Sequence, residues 1–255
     1  LIFSNAKNKV TELKSDANVM AMISGSGFAL EGNPVRSLYS LDFRGLNEEG
    51  LPTFINEKGE VTVTDINFQE RENKSHLVYE GSTDPTITGS FGNLFYYKGF
   101  KLNLFITYSF GNVIRLDPVF SNAYSDLDAT PKEFKNRWTV AGDENVTSIP
   151  VIADLRQNTM NSYLNKAYNA YNYSTARIAK GDFIRMKEIS LTYDFPKALV
   201  SKLRMSNLSL KIQGTNLFLL YADKKLNGQD PEFFNSGGVA VPVPKQFTLT
   251  LRLGI

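Results

Sequence analysis

Strict alternation of apolar and polar residues is the feature of this sequence that most constrains its fold. From Phe247 to Ile255 every second side chain is apolar, and the positions between them hold Thr, Arg and Gly. Side chains of a β-strand point alternately to its two faces, so this pattern predicts a strand with one apolar and one polar face. The apolar face has to be covered by protein or by lipid, because its contact with water is unfavourable.

The same period of two recurs in four earlier segments. Their apolar residues are Leu102, Leu104, Ile106, Tyr108 and Phe110; Ile189, Leu191 and Tyr193; Leu208, Leu210 and Ile212; and Tyr39, Leu41 and Phe43. Helical periodicity is scarce, and the best helix start is Thr130-Pro131-Lys132-Glu133, which resembles a capping box with Pro at the first helical position. The chain is therefore predicted to be all-β, with strands near the ~9–11 residues that a tilted strand needs to cross a bilayer.

The predicted strands are joined by connections of two kinds. Phe195 to Ser206 is compact, whereas Asn112 to Lys180 and Tyr221 to Lys245 are long and rich in Asn, Tyr, Gly, Pro and Asp. A transmembrane barrel has short turns on one side and long loops on the other. The strands of a soluble antiparallel sandwich also alternate apolar and polar residues, so the pattern is compatible with both architectures. The polar composition of the second face, the aromatic residues near strand ends and the unequal loops favour the barrel.

Composition excludes several other classes of protein. No stretch approaches the ~20 consecutive apolar residues of a membrane-spanning helix, although a two-faced barrel strand remains compatible with 42% hydrophobic residues. The net charge is +2 and the basic residues are scattered, so no nucleic-acid partner is expected. The absence of cysteine excludes disulfides and thiolate metal sites.

No motif points to catalysis, to a metal or to a cofactor. His76 is the only histidine, and no spacing of Asp or Glu around it suggests metal ligands. The paired carboxylates Glu48-Glu49 and Asp126/Asp128 are interpreted as solvated loop residues rather than as an acid–base pair. We therefore predict that the protein is not an enzyme.

Aromatic residues in the longest predicted loop form a candidate contact surface. They are Trp138, Tyr163, Tyr168, Tyr171 and Tyr173, and they alternate with Asn and Asp. Surfaces that bind sugars or peptides use this mixture, since flat rings cover apolar groups while amides and carboxylates take hydroxyl or main-chain groups. The alternative is a loop whose tyrosines pack against one another.

Several segments resemble the SusC/RagA family of TonB-dependent outer-membrane transporters. Gly181-Asp182-Phe183-Ile184-Arg185-Met186-Lys187-Glu188-Ile189-Ser190-Leu191-Thr192-Tyr193-Asp194-Phe195-Pro196-Lys197 resembles the family's "flRlknisLgYtlPk" signature near its C-terminus. Leu210 to Phe218 is similar to its "v-s-g-q-N-L-f" strand, and Asp230-Pro231-Glu232 to its "DPE" loop. Upstream, Asp84 to Leu102 and Arg137-Trp138-Thr139 are also similar to family segments, in the same order.

The resemblance implies that the chain, residues 1–255, is the C-terminal portion of a large antiparallel transmembrane β-barrel. Barrels of this family have about 22 strands and a plugged lumen. The plug domain, the N-terminal extension and its TonB box have no counterpart here. The family usually ends on an aromatic residue two positions beyond the Gly254-Ile255 pair, so we expect one or two residues to be missing after Ile255. The chain begins at Leu1 without a signal-peptide pattern, so we expect it to be part of a longer product.

The resemblance also implies a function and a set of partners. The intact protein would import oligosaccharides or peptides across the outer membrane of a Gram-negative bacterium, with a SusD-like lipoprotein as its lid and TonB-ExbB-ExbD acting through the missing N-terminal part. Further expected contacts are the remainder of the barrel, outer-membrane lipid and a second transporter–lipoprotein pair. The alternatives are a siderophore or cobalamin receptor barrel and a soluble carbohydrate-binding sandwich.

Two groups of residues are predicted to contribute to such a transporter. The candidates for lining the lumen are Lys101, Asn103, Lys211, Gln213 and Arg252. The candidates for contact with substrate or lid are Trp138, Tyr163, Tyr168, Tyr171, Tyr173 and Asp230. No cofactor and no catalytic residue is expected, because passage would depend on lumen width, polarity and lid closure.

Overall fold

The computed structural model describes residues 1–14, 16–25, 27–125, 127–128, 130–202, 204–234, 242 and 244–255, so that Asp126 lies outside the described residues. The strands within these ranges are β1 Ile2–Asn5, β2 Ser37–Leu41, β3 Phe43–Leu46, β4 Pro52–Ile55, β5 Val61–Thr62, β6 Leu77–Ser82, β7 Ile87–Tyr97, β8 Phe100–Phe110, β9 Val113–Arg115, β10 Ile178–Lys180, β11 Phe183–Asp194, β12 Asn207–Ala222 and β13 Gln246–Gly254. The α-helices are α1 Val19–Ile23, α2 Leu155–Met160, α3 Leu164–Asn172 and α4 Lys197–Lys202. The protein is thus mostly β, with short helices that the all-β prediction did not include.

A six-stranded antiparallel sheet dominates the fold. Its order is β1-β7-β8-β11-β12-β13, so strands that follow one another along the chain are neighbours in the sheet. This is the meander expected when each strand turns back on the one before it. The sheet is open within the described residues, because β1 and β13 form its two outer edges.

The connections of this sheet are strongly unequal at its two ends. At one end β7 and β8 are joined by Lys98 and Gly99, both with positive φ, which is the geometry of a tight hairpin turn. Residues 195–206, which include α4, join β11 to β12 at the same end. Residues 6–86, 111–182 and 223–245 all connect strands at the opposite end. The predicted asymmetry of short turns and long loops is therefore present.

Two of the long connections fold into a compact loop module, defined here as residues 17–82 and 112–181. Its hydrophobic core joins α1, β4 and α3, with Val19, Phe54, Ala167 and Tyr168 all buried. The prediction of a two-faced strand through Tyr39, Leu41 and Phe43 was wrong. All five residues of β2 are buried, and the strand pairs with β6 inside the module rather than joining the large sheet.

Helices in the module differ from the sequence-based expectation. The candidate start at Thr130 gives only a 3-10 helix, Lys132–Asn136, whose N-cap is Pro131 and carries no side-chain hydrogen bond. The capping box belongs instead to α2, where Asp154 accepts from the backbone of Gln157 and the Gln157 side chain bonds back to the cap. No helix in the described ranges is long and apolar enough to cross a membrane.

Candidate functional site

One face of the six-stranded sheet is apolar and exposed. The pairing register places Leu191, Ile212 and Leu249 side by side across three strands, and Leu251 lies opposite Leu210. Leu249 and Leu251 retain 69% and 58% of their accessible surface. A continuous apolar surface of this kind marks a face that binds protein or lipid. It is the face that the alternation of the sequence predicted.

Aromatic side chains lie at both ends of this apolar face. At the short-turn end Phe100 and Tyr193 pack with their ring centroids 4.5 Å apart, next to the exposed Tyr97. At the long-loop end the rings of Tyr108 and Phe110 stack at 5.8 Å. Membrane barrels carry aromatic girdles at both edges of an apolar band.

Gly89 makes the aromatic arrangement at the long-loop end possible. The Tyr108 hydroxyl crosses above Gly89 and donates to the carbonyl of Ile2, 3.0 Å away. A Cβ on Gly89 would lie 2.4 Å from that hydroxyl oxygen. A glycine at this position therefore lets one side chain tie β8 to the edge strand β1 across β7.

The opposite face is polar, and all five residues predicted to line a lumen lie on it. Lys101, Asn103, Lys211 and Arg252 line one concavity of about 270 Å³, and Gln213 pairs with Ser190 on the same face. Lys101 Nζ lies 2.6 Å from Asp194 Oδ2. Asn103 Nδ2 donates to Glu188 Oε1 at 3.2 Å. The polar groups of this face thus pair with each other across strands.

A β-bulge at Lys187 sets the position of Arg185. The register with both neighbouring strands shifts between Met186 and Glu188, so that Arg185 lies on the same face as Glu188 although the two are three residues apart. Without the extra residue, strict alternation would place Arg185 on the apolar face. The bulge therefore turns a charged side chain toward the polar side, which the sequence pattern did not indicate.

Arg185 binds the Asp230-Pro231-Glu232 segment. Its Nη2 donates to Asp230 Oδ1 and its Nε lies 3.0 Å from Glu232 Oε2. Asp230 also caps the 3-10 helix Pro231–Phe233. Asp230, predicted as a contact for substrate or lid, is thus engaged within the chain, and its side chain is only 11% exposed.

The loop module continues directly from the sheet. The pair β9 and β10 extends the pair β8 and β11 beyond a short break, where the backbone N–H of Gly111 donates to Asp182 Oδ1 at 2.6 Å and that of Gly181 to the carbonyl of Asn112 at 2.9 Å. Cross-strand bonding therefore fixes the module to the six-stranded sheet.

A buried arginine lies where β9 enters the module. Arg115 donates from Nη2 to the carbonyl of Tyr39 at 2.6 Å and to Ser40 Oγ at 3.2 Å, and its guanidinium lies 5.6 Å from the centre of the Tyr173 ring. Burial lowers the pKa of Arg115 to about 10, against an ordinary value of 12.5. Tyr173 is half-buried and belongs to this internal contact.

The four predicted loop aromatics other than Tyr173 separate into two groups. Tyr168 and Tyr171 are 1% and 2% exposed, in the module core, and burial raises the pKa of both hydroxyls. They therefore have almost no surface available to a ligand or a lid in this structure. Their burial agrees with the alternative interpretation, in which the tyrosines of the loop pack inside it. Trp138 is half-buried and Tyr163 is exposed, so these two retain surface for a partner.

The described side chains form no candidate metal site. They contain no group of three or more His, Asp or Glu placed to hold a metal ion. His76 is buried and neither of its ring nitrogens has a hydrogen-bond partner among the described atoms. Burial lowers its pKa, and Glu57 and Glu70 act in the opposite direction.

Comparisons with known proteins point to one class of transporter. TonB-dependent receptor P39 of Formosa agariphila is 27% identical over 209 residues, covering 75% of this chain and 18% of the receptor. TonB-dependent receptor P3 of the same organism is 24% identical over 245 residues, covering 90% of this chain and 22% of that protein. No protein-family profile matches. The chain thus spans about a fifth of the length of these relatives.

Solved structures share the fold. The RagAB peptide transporter matches with a TM-score of 0.62 and 21% identity, over 88% of this chain and 23% of that one. The RagAB peptide importer in its closed-closed state matches with a TM-score of 0.61 and 20% identity, over 89% and 24%. These similarities confirm the predicted resemblance to TonB-dependent transporters of the SusC/RagA family.

Proposed function

We propose that the chain forms the C-terminal part of the wall and outer loops of an outer-membrane TonB-dependent importer for oligosaccharides or peptides. The observation that carries this proposal is the six-stranded sheet, with an exposed apolar face and a polar face, and with long connections at one end only. Such a sheet suits a wall between lipid and a wet lumen. The named relatives are receptors and importers.

In this arrangement both open edges of the sheet continue into further strands. The backbone groups along the outer sides of β1 and β13 have no paired strand among the described residues. Unpaired backbone groups in hydrocarbon are costly, so a membrane sheet has to close on itself. The remainder of a plugged barrel of about 22 strands would supply the missing neighbours.

The polar face would then line the lumen, through which cargo passes without covalent chemistry. Lys101, Lys211 and Arg252 add positive charge there, offset in part by Asp194 and Glu188. The loop module would lie on the extracellular side, where a SusD-like lipoprotein closes over the mouth. Trp138 and Tyr163 are the aromatic residues we retain for contact with lid or cargo.

Energy would come from TonB-ExbB-ExbD acting on a plug outside this chain, and two transporter–lipoprotein pairs would associate in the outer membrane of a Gram-negative cell. RagAB, whose structures share this fold, is described as a peptide importer with open-open and closed-closed states. A lid that opens and closes would fit the placement of the loop module at one end of the sheet.

Electrophoretic mobility and detergent partitioning test the proposal. The protein expressed with its complete polypeptide is expected to fractionate with outer membranes, to require detergent and to migrate faster on a gel before boiling than after it. A protein that stays soluble and monomeric without detergent would instead have its apolar face covered by a second protein layer, as in a sandwich, and the proposed function would be rejected.

A further inference from the structure

A groove beside Trp138 lies in the loop module, between the hairpin at Gly50 and helix α2. Its volume is about 530 Å³, and its lining includes Glu48, Glu49, Trp138, Ile152, Arg156 and Met160. Sites for small ligands are clefts of about 300–1,000 Å³ that combine apolar surface with a few polar groups. The size and the mixed lining therefore suit a small ligand.

Three chain segments that form the groove are tied together by hydrogen bonds. The backbone N–H of Val151 donates to the carbonyl of Gly50 at 3.0 Å, and that of Trp138 donates to the carbonyl of Ile149 at 2.9 Å. Gln157 Nε2 in α2 donates to the carbonyl of Glu49 at 2.9 Å. A groove held open in this way loses little conformational freedom when a ligand binds.

Apolar surface in the groove comes from a fixed indole ring and flexible neighbours. Trp138 Nε1 donates to Glu144 Oε2 at 2.9 Å, which orients the ring. The ring packs on Gly50, where an added Cβ would lie 2.5 Å from it. Ile152 and Met160 are 41% and 69% exposed. One apolar side chain of a ligand can therefore lie against Trp138 and Met160.

Three charged side chains of the groove, Glu48, Glu49 and Arg156, form no ion pair with the residues that the structure describes. The carboxylates of Glu48 and Glu49 form no ion pair or hydrogen bond with described side chains, whereas Asp154 is used as the cap of α2. Among the described residues, the Arg156 guanidinium has one hydrogen bond, to Met160 Sδ at 3.4 Å. The two carboxylates outnumber the guanidinium, so the groove favours a ligand that carries an ammonium group. A neutral oligosaccharide has none.

We propose that this groove binds a short peptide, with an ammonium group of the peptide at Glu48 and Glu49 and a neighbouring apolar side chain against Trp138. The proposal rests on the proposed import function and selects peptide over oligosaccharide as the cargo that meets the loop module.

Trp138 is the only tryptophan of residues 1–255, so an emission change that is lost in the variant W138F reports on the groove. The complete polypeptide, purified in detergent, is titrated with the tripeptide Lys-Leu-Lys-amide, with acetyl-Glu-Leu-Glu and with maltotetraose. Lys-Leu-Lys-amide is expected to change the emission saturably, with matching heat in calorimetry. The double variant E48Q/E49Q is expected to bind it about tenfold more weakly, since exposed charge pairs contribute modestly.

The control is E12Q/E72Q, which removes the same charge from exposed residues that do not line the groove. It is expected to bind Lys-Leu-Lys-amide as the unmodified chain does. Equal binding by E48Q/E49Q, binding of maltotetraose instead, or no heat and no emission change would each overturn the proposal. Gel mobility before and after boiling is measured on the same samples, so loss of the groove and loss of the membrane wall are distinguished.

Discussion

Arg185, in strand β11 of the large sheet, forms an ion pair with Asp230, in the segment that connects β12 to β13. The two residues are separated by 45 positions in sequence, and their side chains are 7% and 11% exposed. The pair exists because the bulge at Lys187 directs Arg185 to the polar face. The position of the 230–232 segment therefore depends on an irregularity in a neighbouring strand.

Replacing Arg185 with Leu is expected to lower the free energy of unfolding by about 3–5 kcal/mol, because it leaves the Asp230 carboxylate buried without its partner. The double variant R185L/D230N should recover part of this loss, since it removes the uncompensated charge as well. Urea-induced unfolding in detergent micelles measures all three proteins.

The exposed pair Lys58 and Asp65, at 3.1 Å, provides the control. K58M is expected to change the unfolding midpoint by less than the error of the measurement, because solvent-exposed ion pairs contribute little. An R185L variant as stable as the unmodified chain would show that the pair does not anchor the segment.

His76 is expected to make the loop module less stable in acid. Burial lowers its folded-state pKa below the ordinary value of 6.5, so the unfolded chain binds a proton more readily than the folded one. The contribution of His76 is complete above pH 6.5 and is lost as the pH falls through the lowered folded-state pKa. Thermal unfolding between pH 8 and pH 5 measures this loss.

The variant H76F separates the contribution of His76 to the pH dependence of stability from that of the carboxylates. Its melting temperature is expected to fall less on acidification than that of the unmodified chain, because Phe cannot bind a proton. Parallel curves for the two proteins would mean that His76 takes up its proton equally in both states.

Replacing Gly50 with Ala is expected to displace the Trp138 ring. Gly50 has φ of 74° and its Cβ would lie 2.5 Å from the ring. Gly59 has a similar φ of 82° with nothing within 4 Å, so G59A carries the backbone strain without the steric clash. Only G50A should shift the Trp138 emission to longer wavelength, and a shift of equal size in G59A would contradict the assigned contact.

A charge on the apolar face is expected to cost far more than one on the polar face. Leu251 is paired with Leu210, and the adjacent Thr250 with Lys211, on opposite faces of the same strands. L251R should destabilise the membrane-inserted protein by about 2–4 kcal/mol if it lies near the bilayer midplane. T250R should change stability much less, and folding into lipid vesicles compares the two.

Four of the six strands of the large sheet were predictable because each has one apolar and one polar face. The period of two in 102–110, 189–193, 208–212 and 247–255 follows from that environment, and the structure places all four segments in the sheet. In the sequence, the bulge at Lys187 is visible only as a break in the alternation of apolar and polar residues. The face on which Arg185 lies, and hence its ion pair with Asp230, was therefore not predicted.

The loop module was largely missed, for two physical reasons. Strand β2 is buried on both faces, so its apparent alternation carried no information about its surroundings. The N-cap of helix α3 is Tyr163, which has a left-handed backbone conformation and whose side chain makes no cap hydrogen bond. The Ser, Thr, Asp or Asn that usually marks the start of a helix is therefore absent. The spacing of Leu164, Ala167, Tyr168 and Tyr171, all buried, is helical and was the one available signal.

Fluorescence quenching along β13 tests most directly whether the apolar face meets lipid. The chain has no cysteine, so a single cysteine can be introduced at each position from 247 to 253 and labelled with an environment-sensitive dye. In vesicles, labels at 247, 249, 251 and 253 should be quenched by spin-labelled lipid, and labels at 248, 250 and 252 by aqueous iodide. Labels at 249 and 251 that neither quencher reaches, or that iodide alone quenches, would contradict a wall between membrane and lumen.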